Sequence, residues 1–458
     1  MATESYKDVQ RLQCSMAEDL KLINYFEALS NFFMVDFYTY SAYNMLPKAW
    51  LESAKQYDDS LLEQFCTSLL PENSVKICRS LMPLSMLCFI ALTRKKLALR
   101  IKQPCPKHEL PISCKDQLKF LKPKKIVELS DMLPCIQKVV SSQNITHVVD
   151  IGSGVGHASR FIAKQNPHCM VLRIEAQSNL INKATDIDLN FDKMSKSKNI
   201  FSSVCRLTLD DNVVSSFLQL LKDADQANGT SFSSPKSRIL LLGLHPCGNL
   251  GSYMLRLFKE CAICQSAVIV SCCYLLIDSE PNQTGGFPLS NFLKDQEVLN
   301  LSSQLKEQAC HNAEFYLSRL GSQLNNHDKL TQNWRSIADI FLSKRESASS
   351  RSWFKFKKRA NGENIVKFIN KNLALHKLPE LDKDEEELAL KLGVVDQWKT
   401  WAYYLVYILK LSLGVIGESL ILNDRILFLL ESRCSSQFEI LFNPKESSRN
   451  VAIVSSKN

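Results

Sequence analysis

The stretch Val148-Val149-Asp150-Ile151-Gly152-Ser153-Gly154-Val155-Gly156-His157 runs from β-branched residues into a carboxylate and through three glycines at alternate positions. A helical pattern begins at Ala158. Such a run reads as a strand, a tight turn and a helix N-terminus, which turns bare N–H groups towards a nucleotide-like ligand. Glycine suits the turn because a Cβ would obstruct both the backbone path and the ligand's approach. A dinucleotide fingerprint requires G-x-G-x-x-G, but the residue three beyond Gly154 is His157, so that spacing is not met. D-x-G-x-G-x-G is the form that cradles S-adenosylmethionine, which has no pyrophosphate to seat. Asp150, Gly152, Ser153, Gly154 and Gly156 are therefore the expected cofactor-binding residues of this loop.

Downstream, Val171-Leu172-Arg173-Ile174-Glu175 reads as a second strand ending in an acid. Glu175 stands about 20 residues beyond the first glycine, where a carboxylate accepts from both ribose hydroxyls. An isolated acid there would more often be a solvated helix cap, but the glycine loop favours the ribose role. Asp210 and Asp211 follow the third expected strand. Asp210 is a candidate acceptor for the adenine amino group, although turns also favour aspartate.

The 458 residues are enough for two or three domains. A hydrophobic share of 45% and a charged share of 22% describe an ordinary globular chain. With 56 basic and 47 acidic residues the net charge is +9, compatible with RNA or an acidic protein partner and specific to neither. The N-terminal residues lack the apolar core of a secretion signal. The longest apolar candidate, Trp401 to Leu422, is interrupted by Lys410 and Glu418. It reads as a buried amphipathic helix, so no membrane partner is expected. The 16 cysteines scatter without a disulfide framework, which points to reduced thiols in the cytoplasm or nucleus. Cys261 and Cys264 invite a zinc reading with Cys272 and Cys273. The strand-like residues between the pairs span ~16 Å, too far for one tetrahedral ion. Nothing in the pattern sets an oligomeric state.

Residues 1–140 carry helical periodicity (Leu22, Phe26, Leu29, Phe32, Phe33) and an aromatic cluster from Tyr25 to Tyr43, predicting a helical N-terminal domain. From Ile145 the rhythm becomes strand–helix–strand. Strands are expected at His147–Asp150, Met170–Glu175, Ser202–Leu209, Ile239–Leu244, Ala267–Ser271, Phe438–Phe442 and Val451–Ser455. The last two form a hairpin across Asn443-Pro444-Lys445. A parallel sheet closed by an antiparallel hairpin is the class I S-adenosylmethionine methyltransferase arrangement, a Rossmann-like seven-stranded fold. The expected division is a core over 141–290, a mostly helical insertion over 291–400 and the end of the core over 401–458. The insertion holds a basic segment, Ser343 to Arg359, with Trp353 and Phe354 inside it, and an acidic run from Asp382 to Glu387. Basic residues interleaved with aromatics can hold phosphates and stack bases, while a solvated loop has the same composition.

Ligand chemistry in open α/β sheets gathers at the carboxyl ends of the strands. The fourth strand ends in Gly243-Leu244-His245-Pro246-Cys247-Gly248-Asn249-Leu250 and the fifth in Val270-Ser271-Cys272-Cys273-Tyr274. Many methyltransferases carry Asp/Asn-Pro-Pro-Tyr at the fourth position to orient an amine, and this chain does not. His245 is the candidate catalytic residue, because a neutral imidazole accepts a proton from a hydroxyl or a protonated nitrogen during transfer. A packing histidine that shapes the pocket is an equal alternative. Cys247, Asn249, Cys272, Cys273 and Tyr274 complete the expected acceptor pocket. The three cysteines could join His245 as ligands, but regular ligand spacing is missing and no metal is expected.

Taken together, Asp150 to His157, Gly243-Leu-His-Pro-Cys-Gly248, Ser271-Cys-Cys-Tyr274 and Phe287-Pro-Leu-Ser290 resemble the methyltransferase-like protein 25 family. Some of its members are labelled ribosomal RNA adenine dimethylase domain-containing proteins. Lys122-Pro-Lys-Lys125, Ala309-Cys-His311, Glu418 to Arg425 and Leu46 to Trp50 extend the resemblance over most of the chain. A similar pair of His-x-Cys-Gly and Cys-Cys-Tyr motifs marks the family that 2′-O-methylates the tRNA acceptor stem. Val155 stands where the resemblance leads one to expect lysine, and Asn249 where it leads one to expect aspartate. The resemblance implies an S-adenosylmethionine-dependent transfer to a macromolecule. RNA is slightly favoured over protein, and a scaffold without activity or a nicotinamide-dependent oxidoreductase are the rivals. The missing Asn-aromatic amine motif argues against carrying over a dimethylase activity.

Overall fold

A computed structural model describes residues 2–56, 59–72, 82–101, 121–192, 199–208, 212–227, 229, 236–278, 285–296, 300–322, 326–345, 356–357, 362–394 and 397–457. Seven strands form one sheet: β1 (His147–Ile151), β2 (Met170–Glu175), β3 (Ile200–Val204), β4 (Ile239–Cys247), β5 (Cys264–Cys272), β6 (Ser435–Ile440) and β7 (Val451–Ser456). Their order is β3-β2-β1-β4-β5-β7-β6. The first five are parallel, and β7 runs antiparallel to both β5 and β6. This is the class I methyltransferase fold, with helical segments preceding the sheet in the chain.

The sheet forms because both of its faces are buried. All five residues of β1 and all six of β2 are buried, and alternate side chains enter opposite cores. Val149, Leu172 and Leu241 join a core with Phe217, Met254 and Phe258. Their neighbours Val148, Val171 and Leu240 join another with Leu133, Ile136 and Phe161. Each such aliphatic side chain contributes about 1.5–3 kcal/mol on leaving water.

Several boundaries differ from the sequence reading, and β4 and β5 are both longer than expected, ending at Cys247 and beginning at Cys264. β3 ends at Val204 rather than continuing towards Leu209, which lies outside the described residues. β6 begins at Ser435 and ends at Ile440, two residues short of Phe442. The helix Pro123–Ser142, which falls almost wholly within the residues 1–140 expected as an N-terminal domain, packs Leu129, Met132 and Ile136 on the sheet.

The chain divides into two compact units. The first combines residues 1–21, 100–312 and 417–458 and contains the whole sheet. The second combines residues 22–99 with 313–416, and so joins part of the expected N-terminal domain to most of the expected insertion. Long-range contacts within it explain this. Tyr38 donates to Asn333 Oδ1 at 2.5 Å, Phe37 packs edge-on against Tyr403, and Lys410 donates to the carbonyls of Leu29 and Phe32. Its core gathers Trp334, Phe341, Phe368 and Leu373.

In this second unit the acidic run has a structural use. Asp382 caps the helix Lys383–Gly393 in a reciprocal capping box with Glu385, and Glu385 also pairs with Arg345. Trp353, Phe354, Lys355, Lys358 and Arg359 of the basic segment lie outside the described residues. The helix Gln397–Glu431 is divided between the units at Ile416 and Gly417. Its most apolar window has a mean hydropathy of 1.9, enough by length and composition to cross a bilayer, but 89% of that window is buried inside the protein.

Candidate active site

The glycine loop sits at the carboxyl end of β1, and its glycines have different tasks. Gly152, Gly154 and Gly156 all adopt positive φ, at 72°, 57° and 71°. A Cβ on Gly156 would lie 2.6 Å from Arg173 Nε, so this glycine makes room for a buried guanidinium. Arg173 and Arg160 share the carboxylate of Asp188 at 2.5 Å each. A Cβ on Gly154 would meet nothing within 4 Å. This side of the loop is open, and it is where the sequence reading puts the cofactor cradle.

The polar groups around it fit S-adenosylmethionine. Ser153 Oγ is buried and has no hydrogen-bond partner among the described residues. Glu175 Oε2 accepts from the Gly154 amide and Oε1 from the Gln177 amide, both at 3.0 Å. A carboxylate offers about four lone-pair sites, so two remain for the paired hydroxyls of a ribose. Asp150 is placed otherwise than expected. It is fully buried beneath the loop and accepts from Ser159 Oγ at 2.5 Å, so it braces the first turn of the helix His157–Gln165 rather than reaching into the cradle. Burial raises its pKa, and Ser159 and Arg173 oppose that rise. Asp210 lies outside the described residues.

At the adjacent strand end, β4 gains one residue relative to β5. Leu244 pairs with Val270 and Cys247 with Cys272, so His245 and Pro246 form a bulge. His245 adopts φ 66°, unusual for a residue with a Cβ. Its Nε2 lies 3.1 Å from Glu128 Oε1, a buried acid on the helix Pro123–Ser142. Ser447 donates to the same oxygen at 2.9 Å, and Lys125 Nζ stands 3.4 Å from Oε2. The sequence reading does not anticipate Glu128 as the partner of His245. Burial opposes its ionisation, but His245, Lys125 and Ser447 outweigh burial and hold its pKa at about 2.

A pH prediction follows from the sign of that shift. A carboxyl held below its ordinary 4.5 stabilises the fold above that pH, and the contribution disappears as pH falls from 4.5 towards 2. Chemical denaturation between neutral pH and pH 3 is expected to show a shallower loss of stability in Glu128→Gln than in wild type. Parallel curves for the two proteins would contradict it.

The expected acceptor pocket is only partly assembled. Cys247, Cys272 and Cys273 lie together, with sulfur separations of 3.4–3.6 Å. Asn249 fastens a loop, accepting from the Asp278 amide at 2.8 Å through Oδ1. Tyr274 is a correction. It is 1% exposed, and its hydroxyl donates to Glu418 Oε1 at 3.0 Å, so it is a core residue rather than part of a pocket wall. Cys273 at φ 52° turns the backbone between the thiols and this ring.

Residues 122–280 match the family model described as a methyltransferase domain. A mouse protein described as a probable methyltransferase-like protein 25 is 35% identical over 66 residues, covering 12% of this chain. The match spans 11% of that relative's own length. Coclaurine N-methyltransferase bound to N-methylheliamine and S-adenosylhomocysteine aligns with 96% of this chain and all of its own, at 12% identity and a TM-score of 0.26. The plantazolicin methyltransferase BpumL in complex with S-adenosylhomocysteine aligns with 59% of this chain and 85% of its own, at 13% identity and a TM-score of 0.21. The sheet order and the matched domain agree: the first unit contains a methyltransferase domain over residues 122–280.

Proposed function

We propose that this protein methylates RNA at a hydroxyl group, with His245 as the general base. The observation that carries this reading is the Glu128–His245 pair, 3.1 Å apart, at the carboxyl end of β4. An amine presented as its free base needs acceptors to orient it, but a hydroxyl needs a group to take its proton. When bound, S-adenosylmethionine supplies an electrophilic methyl on a sulfonium. Ser153, Gly154 and Glu175 hold it at the end of β1. With Nε2–H donating to Glu128, the His245 tautomer leaves Nδ1 bare to accept the acceptor's proton. The ionised Glu128 stabilises the imidazolium that results, and the partial exposure of His245 returns the proton to water. The net charge of +9 and the resemblance to the tRNA 2′-O-methylating family favour RNA over protein.

The test supplies tritium-labelled S-adenosylmethionine to the purified chain with separate RNA and protein fractions. Label is expected in RNA. His245→Ala is expected to lower kcat by about 10²–10³, with cofactor affinity unchanged. Glu128→Gln is expected to lower kcat by less than His245→Ala, again with cofactor affinity unchanged. Label confined to protein would replace RNA with a protein acceptor. Cofactor binding without transfer to either fraction would make the fold a scaffold.

A further inference from the structure

We propose that Cys247, Cys272 and Cys273 form a binding site for one zinc ion, with three thiolate ligands and one position left for water or another small ligand. The sulfur atoms are separated by 3.5 Å (Cys247–Cys272), 3.4 Å (Cys247–Cys273) and 3.6 Å (Cys272–Cys273). Three sulfurs on a tetrahedral zinc at ~2.3 Å stand ~3.75 Å apart. Binding therefore requires each sulfur to move by only a few tenths of an ångström. Among the described residues these three form a group whose ligand atoms all lie within 4.8 Å of one another.

The backbone brings the thiols together by two departures from regular structure. In an extended strand, Cys272 and Cys273 would point to opposite faces. The left-handed conformation of Cys273, at φ 52°, undoes that alternation and returns its sulfur to the side of Cys272. The bulge at His245 and Pro246 supplies the third sulfur by bringing Cys247 into register with Cys272. Left-handed conformations at His245 and Cys273 are both disfavoured for residues with a Cβ. Thiols that merely fill a core need neither.

Exposure and charge also suit a metal. Cys272 is buried, Cys273 half-buried and Cys247 exposed, so the cluster is open on one side. Three thiolates around Zn²⁺ leave one negative charge. The buried guanidiniums of Arg449 and Arg425 lie within electrostatic reach of Cys273 and Cys272 to offset it. Cys261 and Cys264 are excluded from the site, since Cys264 opens β5 and Cys272 closes it. The missing x₂-type spacing that argued against a metal in the sequence is replaced here by adjacency of two parallel strand ends. Binding is an exchange of thiol protons for the ion with no redox change, and the site does not depend on which acceptor is methylated.

The full chain, expressed in zinc-supplemented medium and purified without chelator, is expected to carry about one zinc per molecule by plasma mass spectrometry. After removal of zinc, Co²⁺ is expected to give thiolate-to-metal charge-transfer absorption and intense tetrahedral bands. Cys247→Ser changes an exposed side chain, so the protein should keep its fold by circular dichroism while losing both signals. Cys261→Ser is expected to retain both. Zinc below about a tenth of an equivalent in folded wild type, together with no cobalt charge-transfer band, would overturn the site. Retention of stoichiometric metal by both Cys247→Ser and Cys272→Ala would do the same.

Discussion

Gly154→Arg is expected to weaken S-adenosylmethionine binding by more than about 100-fold, or about 3 kcal/mol. Two effects contribute, and they can be separated. Gly154 adopts φ 57°, so any side chain there strains the backbone by about 1–2 kcal/mol. Its Cβ would also point into the open cradle, and an arginine would fill the volume that the cofactor needs. Gly229 is the matching control. Its φ of 72° imposes the same strain, and a Cβ there also meets nothing within 4 Å, but it follows the helix Val213–Ala227 and leads towards the start of β4. Gly229→Arg should therefore lower thermal stability to a similar extent and leave the calorimetric affinity intact. Glu175→Ala tests the other wall, because it removes both the ribose acceptors and the 3.0 Å bond that holds the Gly154 amide. Equal affinities in wild type, Gly154→Arg and Gly229→Arg would mean that the cofactor does not bind over this loop.

Some of this molecule is legible in its sequence, and the division has physical causes. The strands were readable because parallel strands buried on both faces leave uninterrupted aliphatic runs such as Val148–Val149 and Ile239–Leu242. The glycine loop was readable because positive φ leaves a residue-type signature at a fixed offset from the strand. Glu128 was not readable, since it meets His245 across 117 residues and its own helix gives no local sign of the partner. Arg173 gives no local sign of its role either: it is fully buried against Asp188 beneath Gly156, and that acid lies 15 residues further along the chain. Tyr274 was misplaced because Cys-Cys-Tyr was read as one pocket wall. The left-handed turn at Cys273 sends the ring into the core and leaves the thiols at the edge. The composition of the second unit is not legible for a similar reason. Helices from residues 22–99 and 313–416 recognise one another through apolar faces that look alike in any helical domain.

Glu418→Ala is expected to cost about 3–5 kcal/mol, the largest stability loss among the substitutions considered. Glu418 is 3% exposed within the helix Gln397–Glu431, and it pairs with Arg100 and Arg449, each 6% exposed. It also accepts from the Tyr274 hydroxyl at 3.0 Å. Building such a cluster gains little over an apolar core, because desolvation offsets most of the attraction. Removing only the acid is a different matter, since Arg100 and Arg449 then each lose a buried ion pair. Arg449 keeps its bonds to the carbonyls of Ala309 and His311, but these carry no net charge. A melting shift on the order of 10 °C is expected for a domain of this size. Tyr274→Phe removes one neutral donor and should cost only about 1 kcal/mol. The ratio between the two variants is the informative quantity. If Glu418→Ala and Tyr274→Phe destabilised the protein equally, Glu418 would matter as a hydrogen-bond acceptor for Tyr274 rather than as the charge that lets two arginines be buried.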